Sequence, residues 1–359
     1  MNLSRYFRGA YRLLNFYTLL YIVGLVQVDG LVFDSSKKGP PKSPPAPLKG
    51  EALLKSLDIQ SSTEPVLAGV QGDLLLQVPN LLSATAPAIL RAASGVFAQD
   101  YKLGLRAQDD SIYSYVKIGD SQQVYETGIY KPPKKPIILY EFESCPFCRK
   151  VREACSMLSL EVTFRPTPRN GRRYRKEIKD KYGAKATFPF MVDPNNGAQL
   201  FESDDIIKYL FTMYGNGQVP WTLSPGSPLV PLTAGLGVGL CRLGAGGSYR
   251  ESNPPVDGDR SEKTADKTDQ ESIILWAYEG SPFCKVVRER LCEYEIPHTV
   301  IYTPRGSVNR QKLFDKTGGR FQVPFLEDRD TEVTLFESEA INEYLDKQYG
   351  RKKPQVQYL

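Results

Sequence analysis

The chain has 359 residues, more than one ordinary domain needs, with 41% hydrophobic and 24% charged residues and a net charge of +5. This is the composition of a soluble globular protein of two or three units, and so mild a positive balance suggests acidic partners or small anions at best and does not indicate nucleic-acid binding. Six cysteines in so long a chain exclude a disulfide scaffold, and a single histidine, His298, leaves too few ligands for tetrahedral zinc, so no metal is expected.

Residues 1–50 read as a targeting or anchor segment with a linker. Arg5, Arg8 and Arg12 precede the apolar run Leu13–Val28, and no acid occurs before Asp29. That run is short for a spanning helix, which needs about 20 residues. Arginine without acids fits an organelle transit sequence; a secretory leader or membrane association through residues 13–28 is the alternative. Asp34–Lys49, rich in Ser, Lys, Gly and Pro, is an extended linker. Residues 51–135 read as a supporting extension of the first domain, with a helix over Leu81–Phe97, strands at Tyr101–Leu105 and Tyr113–Val116, and no catalytic cluster.

The next stretch, 136–220, carries the chemistry. Ile137–Phe142 is a short apolar strand, and Arg149–Leu158 has helical apolar spacing (Val151, Cys155, Leu158). Between them stands Ser144-Cys145-Pro146-Phe147-Cys148, with Pro146 where a first helical turn tolerates it. Cys145 then lies at a helix N-terminus, where unpaired N–H groups favour a thiolate, and Arg149 and Lys150 could add to that field. Cys148, one turn in, is placed to attack a mixed disulfide on Cys145. A strand at Glu161–Arg165, a charged helix Arg172–Tyr182, a hairpin of Phe188–Val192 and Ala198–Phe201, and a helix Ser203–Tyr214 follow. The order is β-α-β-α-β-β-α. The basic residues Arg165, Arg169, Arg172, Arg173, Arg175, Lys176, Lys179 and Lys181 interleave with few aromatics and read as a solvated helix face, not a nucleic-acid site.

The stretch then repeats at 272–352, after a Gly/Pro-rich and polar link over 221–271 that has room for a short helix near Leu232–Leu240. Cys148 returns as Cys284 and Thr167-Pro168-Arg169 as Thr303-Pro304-Arg305, both 136 residues on; Pro189 returns as Pro324, Glu202-Ser203 as Glu337-Ser338, and Tyr214-Gly215 as Tyr349-Gly350, 135 residues on. The CPFC tetrad returns as Ser281-Pro282-Phe283-Cys284, without its first cysteine.

This element order, with CPFC, a proline about 40 residues on and a Glu-Ser pair opening the last helix, resembles the glutaredoxin-like thioredoxin fold. More closely it resembles the N-terminal, glutathione-binding domain of glutathione S-transferases, present twice, as in tandem plastid proteins of plants and algae. The resemblance implies an α/β chain of two tandem thioredoxin-like domains behind an N-terminal extension. It implies Cys145 as nucleophile and Cys148 as resolving thiol. Pro189 and Pro324 would be cis, Phe188 and Val323 would offer backbone groups to glutathione, and Glu202, Ser203, Glu337 and Ser338 would hold its γ-glutamyl end. From residues alone a trans proline is the ordinary expectation and each serine is simply an N-cap. Ser281 cannot exchange disulfides but could still engage glutathione.

The expected function is a glutathione-dependent thiol–disulfide oxidoreductase acting on disulfide-containing or glutathionylated proteins in a chloroplast, with the second domain binding or structural. Glutathione transferase-like activity and a non-catalytic glutathione- or protein-binding module are the alternatives. A transferase needs a helical domain after the thioredoxin-like one, and only Arg351–Leu359 follows the second copy.

Overall fold

In the computed structural model the two repeats join edge to edge in one sheet. The structure describes residues 48–59, 89, 91–229, 244–250 and 271–350, which all fall in the compact unit Leu48–Leu359. The expectations for Leu13–Val28, most of the Asp34–Lys49 linker, most of Leu81–Phe97, the Leu232–Leu240 helix and the polar link beyond Arg250 lie outside the described residues. Among the described residues no helix is long and apolar enough to cross a membrane.

In chain order the elements are α1 (Gly50–Ser56), β1 (Lys102–Ala107), β2 (Val116–Ile118), β3 (Gln122–Thr127), β4 (Ile137–Glu141), α2 (Pro146–Met157), β5 (Glu161–Pro166), α3 (Tyr174–Tyr182), β6 (Phe190–Asp193), β7 (Ala198–Leu200) and α4 (Ser203–Tyr214). The second copy adds β8 (Ile273–Ala277), α5 (Pro282–Glu293), β9 (His298–Tyr302), α6 (Asn309–Lys316), β10 (Phe325–Asp328), β11 (Val333–Phe336) and α7 (Ser338–Tyr349). Both copies therefore show the expected β-α-β-α-β-β-α order. The elements form because the patterns are strong: β4 and β8 read as continuous apolar runs buried on both faces, and α2 and α5 begin at Pro146 and Pro282 with no N–H to satisfy.

The sheet order is β11-β10-β8-β9-β5-β4-β6-β7. Within each copy the first two strands run parallel across a helix, and the hairpin adds antiparallel. The seam is the antiparallel pair β5–β9, in which Val162 faces Val300, Thr163 faces Thr299 and Phe164 faces His298. Thr163 and Thr299 are equivalent positions, so a pseudo-twofold axis passes between them, and their hydroxyls meet at 3.2 Å. Edge pairing removes two exposed strand edges at once, and continues the sheet hydrogen bonding from one copy into the next.

Beneath the sheet a single apolar core runs through both copies, from Ile137, Val151, Leu158 and Phe211 to Leu275, Val287, Leu291 and Leu345. In each copy a buried aspartate ties the hairpin to the last helix. Asp193 Oδ2 accepts from the Tyr209 and Tyr214 hydroxyls at 2.6 Å, and Asp328 Oδ2 accepts from Tyr344 at 2.7 Å and from Tyr349.

The duplication extends upstream of the expected boundaries. Phe97 bridges to Arg305 and Ser248 bridges to Arg169, which are equivalent positions in the two Thr-Pro-Arg loops. Gly95 and Gly246 stand against Glu279 and Glu143, again equivalent. Each upstream segment thus lies on the other copy's loop. The sheet β1-β3-β2 also reaches the second copy: Arg305 pairs with Glu126 at 2.6 Å, and Gln311 accepts from the Tyr113 N–H at 2.8 Å. Gln99 and Lys131 meanwhile bond Asn216 and Gly215 of the first copy. The extension is shared by both copies and does not belong to the first alone. Nor is all of 221–271 a free link, since residues 244–250 are docked on the first copy.

Candidate functional site

Cys145 is the N-cap of α2, in extended conformation, and its sulfur accepts the Cys148 N–H at 3.3 Å. It is 5% exposed and lies 4.0 Å from the Phe188 carbonyl oxygen. The Cys148 hydrogen bond holds the Cys145 thiol below its ordinary pKa against the opposing effects of burial and of Glu141. Burial pushes Cys148 well above its own, and donation to Cys145 pushes it the same way. One proton shared between two sulfurs therefore sits on the inner one, and the outer one is the better nucleophile.

The Phe188–Pro189 and Val323–Pro324 peptide bonds are both cis. Glu202 and Glu337, not the serines, are the N-caps of α4 and α7; Ser203 and Ser338 are the first helical residues and lend backbone N–H groups to each helix start. The N-cap reading of the serines is thereby corrected. Lys150 pairs with Asp204 and ties the first turn of α4 to α2. Glu202 is exposed with φ −79°, whereas Glu337 is buried with φ +65°, a left-handed conformation that a glutamate rarely adopts, and it accepts from Gln322 beside Val323.

In the second copy Ser281 caps α5 as Cys145 caps α2, and its Oγ accepts the Cys284 N–H at 3.2 Å. Cys284 is fully buried and burial raises its pKa. The loop geometry persists while the sulfur is gone.

Arg149 and Lys150 do not add free positive charge to the thiolate. Both are buried, Arg149 on Glu153 at 2.9 Å and Lys150 on Asp204. The cation beside the site is Arg175, which had been grouped with the solvated basic face. It lies over the Phe142 and Phe188 rings, 5.2 and 4.8 Å to the centroids, and donates to the Thr167 and Pro168 carbonyls. The pattern of Tyr174 and Ile178, buried four apart, was the signal that one side of this helix is not solvated.

Two acids at the end of the site strand and just after it, Glu141 and Glu143, are also buried. Arg152 meets both, and stands 3.4 Å from Glu279 of the other copy. Charged residues in an apolar strand were the available sequence signal, since a buried carboxylate requires a partner.

Fold and site define a pair of thioredoxin-like domains, one carrying a dithiol at a helix N-terminus. Residues 139–218 and 275–353 each match the family described as glutathione S-transferase, N-terminal domain. No curated protein and no solved structure matches the chain. Among the described residues no group of His, Cys, Asp and Glu side chains could hold a metal ion.

Proposed function

We propose that the protein is a glutathione-dependent thiol–disulfide oxidoreductase whose chemistry resides in the first copy. The observation that carries this reading is the placement of the two sulfurs: Cys145 caps a helix N-terminus, where its sulfur accepts the Cys148 N–H beside the Phe188 carbonyl, and Cys148 is fully buried behind it. The Cys145 thiolate attacks the disulfide of a glutathionylated protein. A Cys145–glutathione disulfide forms and the protein thiolate leaves, taking a proton from solvent. A second glutathione thiolate then attacks that disulfide, releasing oxidised glutathione and restoring Cys145. Cys148 could resolve it instead, but a buried thiol far above its ordinary pKa is the slower nucleophile. Phe188, Pro189, Glu202 and Ser203 would position the glutathione, with Ser281, Val323, Pro324, Glu337 and Ser338 forming the non-redox counterpart. The arginine-rich, acid-free start of the chain supports action in a plastid, which an organelle-import assay on the full-length precursor would test.

The deciding experiment is glutathione-coupled reduction of a small mixed disulfide by wild type, Cys145→Ser and Cys148→Ser. Loss in the first variant and retention in the second is expected. Activity indifferent to both would sink the proposal.

A further inference from the structure

The first copy does not by itself balance the charge buried in the strand and loop that lead to its dithiol. Glu141 and Glu143 lie in and just after the strand that delivers Cys145, with side chains 5% and 0% exposed. Within that copy only Arg152 answers them. Its Nη1 meets Glu141, and its Nη2 is 3.2 Å from both the carboxylate and the carbonyl of Glu143. Arg149 is taken by Glu153 and Lys150 by Asp204. The remaining cations come from α5 of the other copy. Lys285 Nζ is 2.9 Å from Glu143 Oε1 and Arg288 Nε is 3.3 Å from Glu143 Oε2. Arg288 also reaches Glu279 at 3.2 Å, and Lys285 lies 3.3 Å from Glu289. Arg152, Lys285 and Arg288 face Glu141, Glu143 and Glu279, with Glu289 beside Lys285, so two of the three cations that meet these carboxylates come from the second copy.

We infer that Lys285 and Arg288, from the copy that lacks the nucleophile, are positioning residues for the dithiol of the other copy. They share Glu143 with Arg152, which also holds Glu141, and so compensate the negative charge that is buried two residues before Cys145. This rests on the proposed redox role of Cys145, and it gives the second copy a function that its own missing cysteine does not abolish. The electrostatics agree in direction. Burial works to raise Glu143, yet Arg152, Lys285 and Arg288 outweigh it and hold it well below the usual carboxylate range. Burial pushes Glu141 up to about 7, and any anionic Glu141 opposes ionisation of both Cys145 and Cys148. The charged and titratable groups around the dithiol are then Glu141 and Glu143 on its own strand and loop, Cys148, Arg149, Lys150 and Arg152 on α2, and Arg175 on α3. Glu153 pairs with Arg149 and Arg91, Asp204 on α4 pairs with Lys150, Arg169 lies near Arg175, and Glu279, Lys285, Arg288, Glu289 and Cys292 approach from the second copy.

The test is the pH profile of Cys145 alkylation by iodoacetamide, read by mass spectrometry of the Cys145 peptide in the full chain. Lys285→Met should raise the midpoint by about one pH unit, which slows alkylation roughly tenfold below it. Lys285→Met with Glu143→Gln should restore the wild-type midpoint, and Lys285→Arg should keep it. Glu143→Gln alone should move it downward, which keeps the test decisive if loss of Lys285 or Arg288 prevents folding. A wild-type midpoint below an ordinary thiol that Lys285→Met leaves in place, or that Glu143→Gln does not lower, overturns the inference. A wild-type midpoint at the ordinary value overturns the redox reading instead.

Discussion

The two copies share a backbone plan while most of their side chains differ, and two of those differences fall at the dithiol. Cys145 is replaced by Ser281 and Glu141 by Ala277, whereas Arg175 recurs as Arg310, which donates to the equivalent Thr303 and Pro304 carbonyls. Around them the scaffold repeats: the cis-prolines, the helix caps and the aspartate held by two tyrosines recur in both. Access differs as well. A methyl group on Gly280 would stand 2.1 Å from Val96, whereas in the first copy the neighbour at Ser144 is a glycine, Gly247, and Phe147 beside the nucleophile is exposed. One copy has kept a sulfur, a titratable acid and an uncluttered loop; the other has kept the fold and supplies cations. Duplication allowed the fold's structural and chemical duties to separate.

The largest expected effect comes from making the first copy chemically like the second. Cys145→Ser should lower disulfide reduction by about 100-fold or more, because a hydroxyl cannot replace a thiolate in exchange. Circular dichroism should stay unchanged, since Ser281 already caps an equivalent helix. Next in size is removal of the cation that both copies share. Arg152→Met leaves Glu141, Glu143 and Glu279 to Lys285 and Arg288, and a buried uncompensated charge costs about 3–5 kcal/mol. Urea denaturation would show it. A loss below about 1 kcal/mol would mean that the cluster relaxes by protonating Glu141.

Much of the first copy was legible because its signals are local. The apolar run before CPFC, the Pro at the helix start and the spacing of Ile206, Ile207 and Leu210 each fix an element within a few turns of chain. The strand β3 was missed: Gln122–Thr127 has little apolar alternation, and it forms by pairing with β1 and β2 on either side. The seam was also invisible, since β5 and β9 look like any short apolar strand and their pairing joins residues 134 to 140 apart. The buried cluster is harder still, drawing on positions from 141 to 288 whose charges look solvent-directed when read singly. The upstream repeat escaped because an insertion changes its spacing from 136 to 151 residues, so Gly95-Val96 and Gly246-Gly247 fall out of register with the rest.

His298 sharpens the comparison at the seam. Its counterpart in the first copy is Val162, and here the imidazole is buried, stacked on Phe164 at 5.4 Å, with Nδ1 2.9 Å from the Ile296 carbonyl oxygen. Burial lowers its pKa to about 4 from an ordinary 6.5. The unfolded chain therefore binds a proton that the folded chain refuses. Stability is unaffected above about pH 6.5 and falls as pH drops from there towards 4, by at most about 3 kcal/mol. His298→Val should flatten this part of the pH–stability curve measured by urea unfolding at pH 7 and pH 4.5. An unchanged slope would assign the acid sensitivity to the carboxylate cluster.

The smallest expected effect tests the axis itself. Thr163 and Thr299 are buried, equivalent and hydrogen-bonded to one another at 3.2 Å. Replacing either by valine removes one hydroxyl and leaves the other without its partner in an apolar seam, which costs about 1–2 kcal/mol. Replacing both removes donor and acceptor together and puts two β-branched side chains face to face, as Val162 and Val300 already stand one residue away. The double variant should thus be closer to wild type than the two single losses predict, with a coupling energy of about 1 kcal/mol in a double-mutant cycle. Strictly additive losses would show that the hydroxyls find other partners, and that the equivalent residues of the two copies do not meet at the axis in solution.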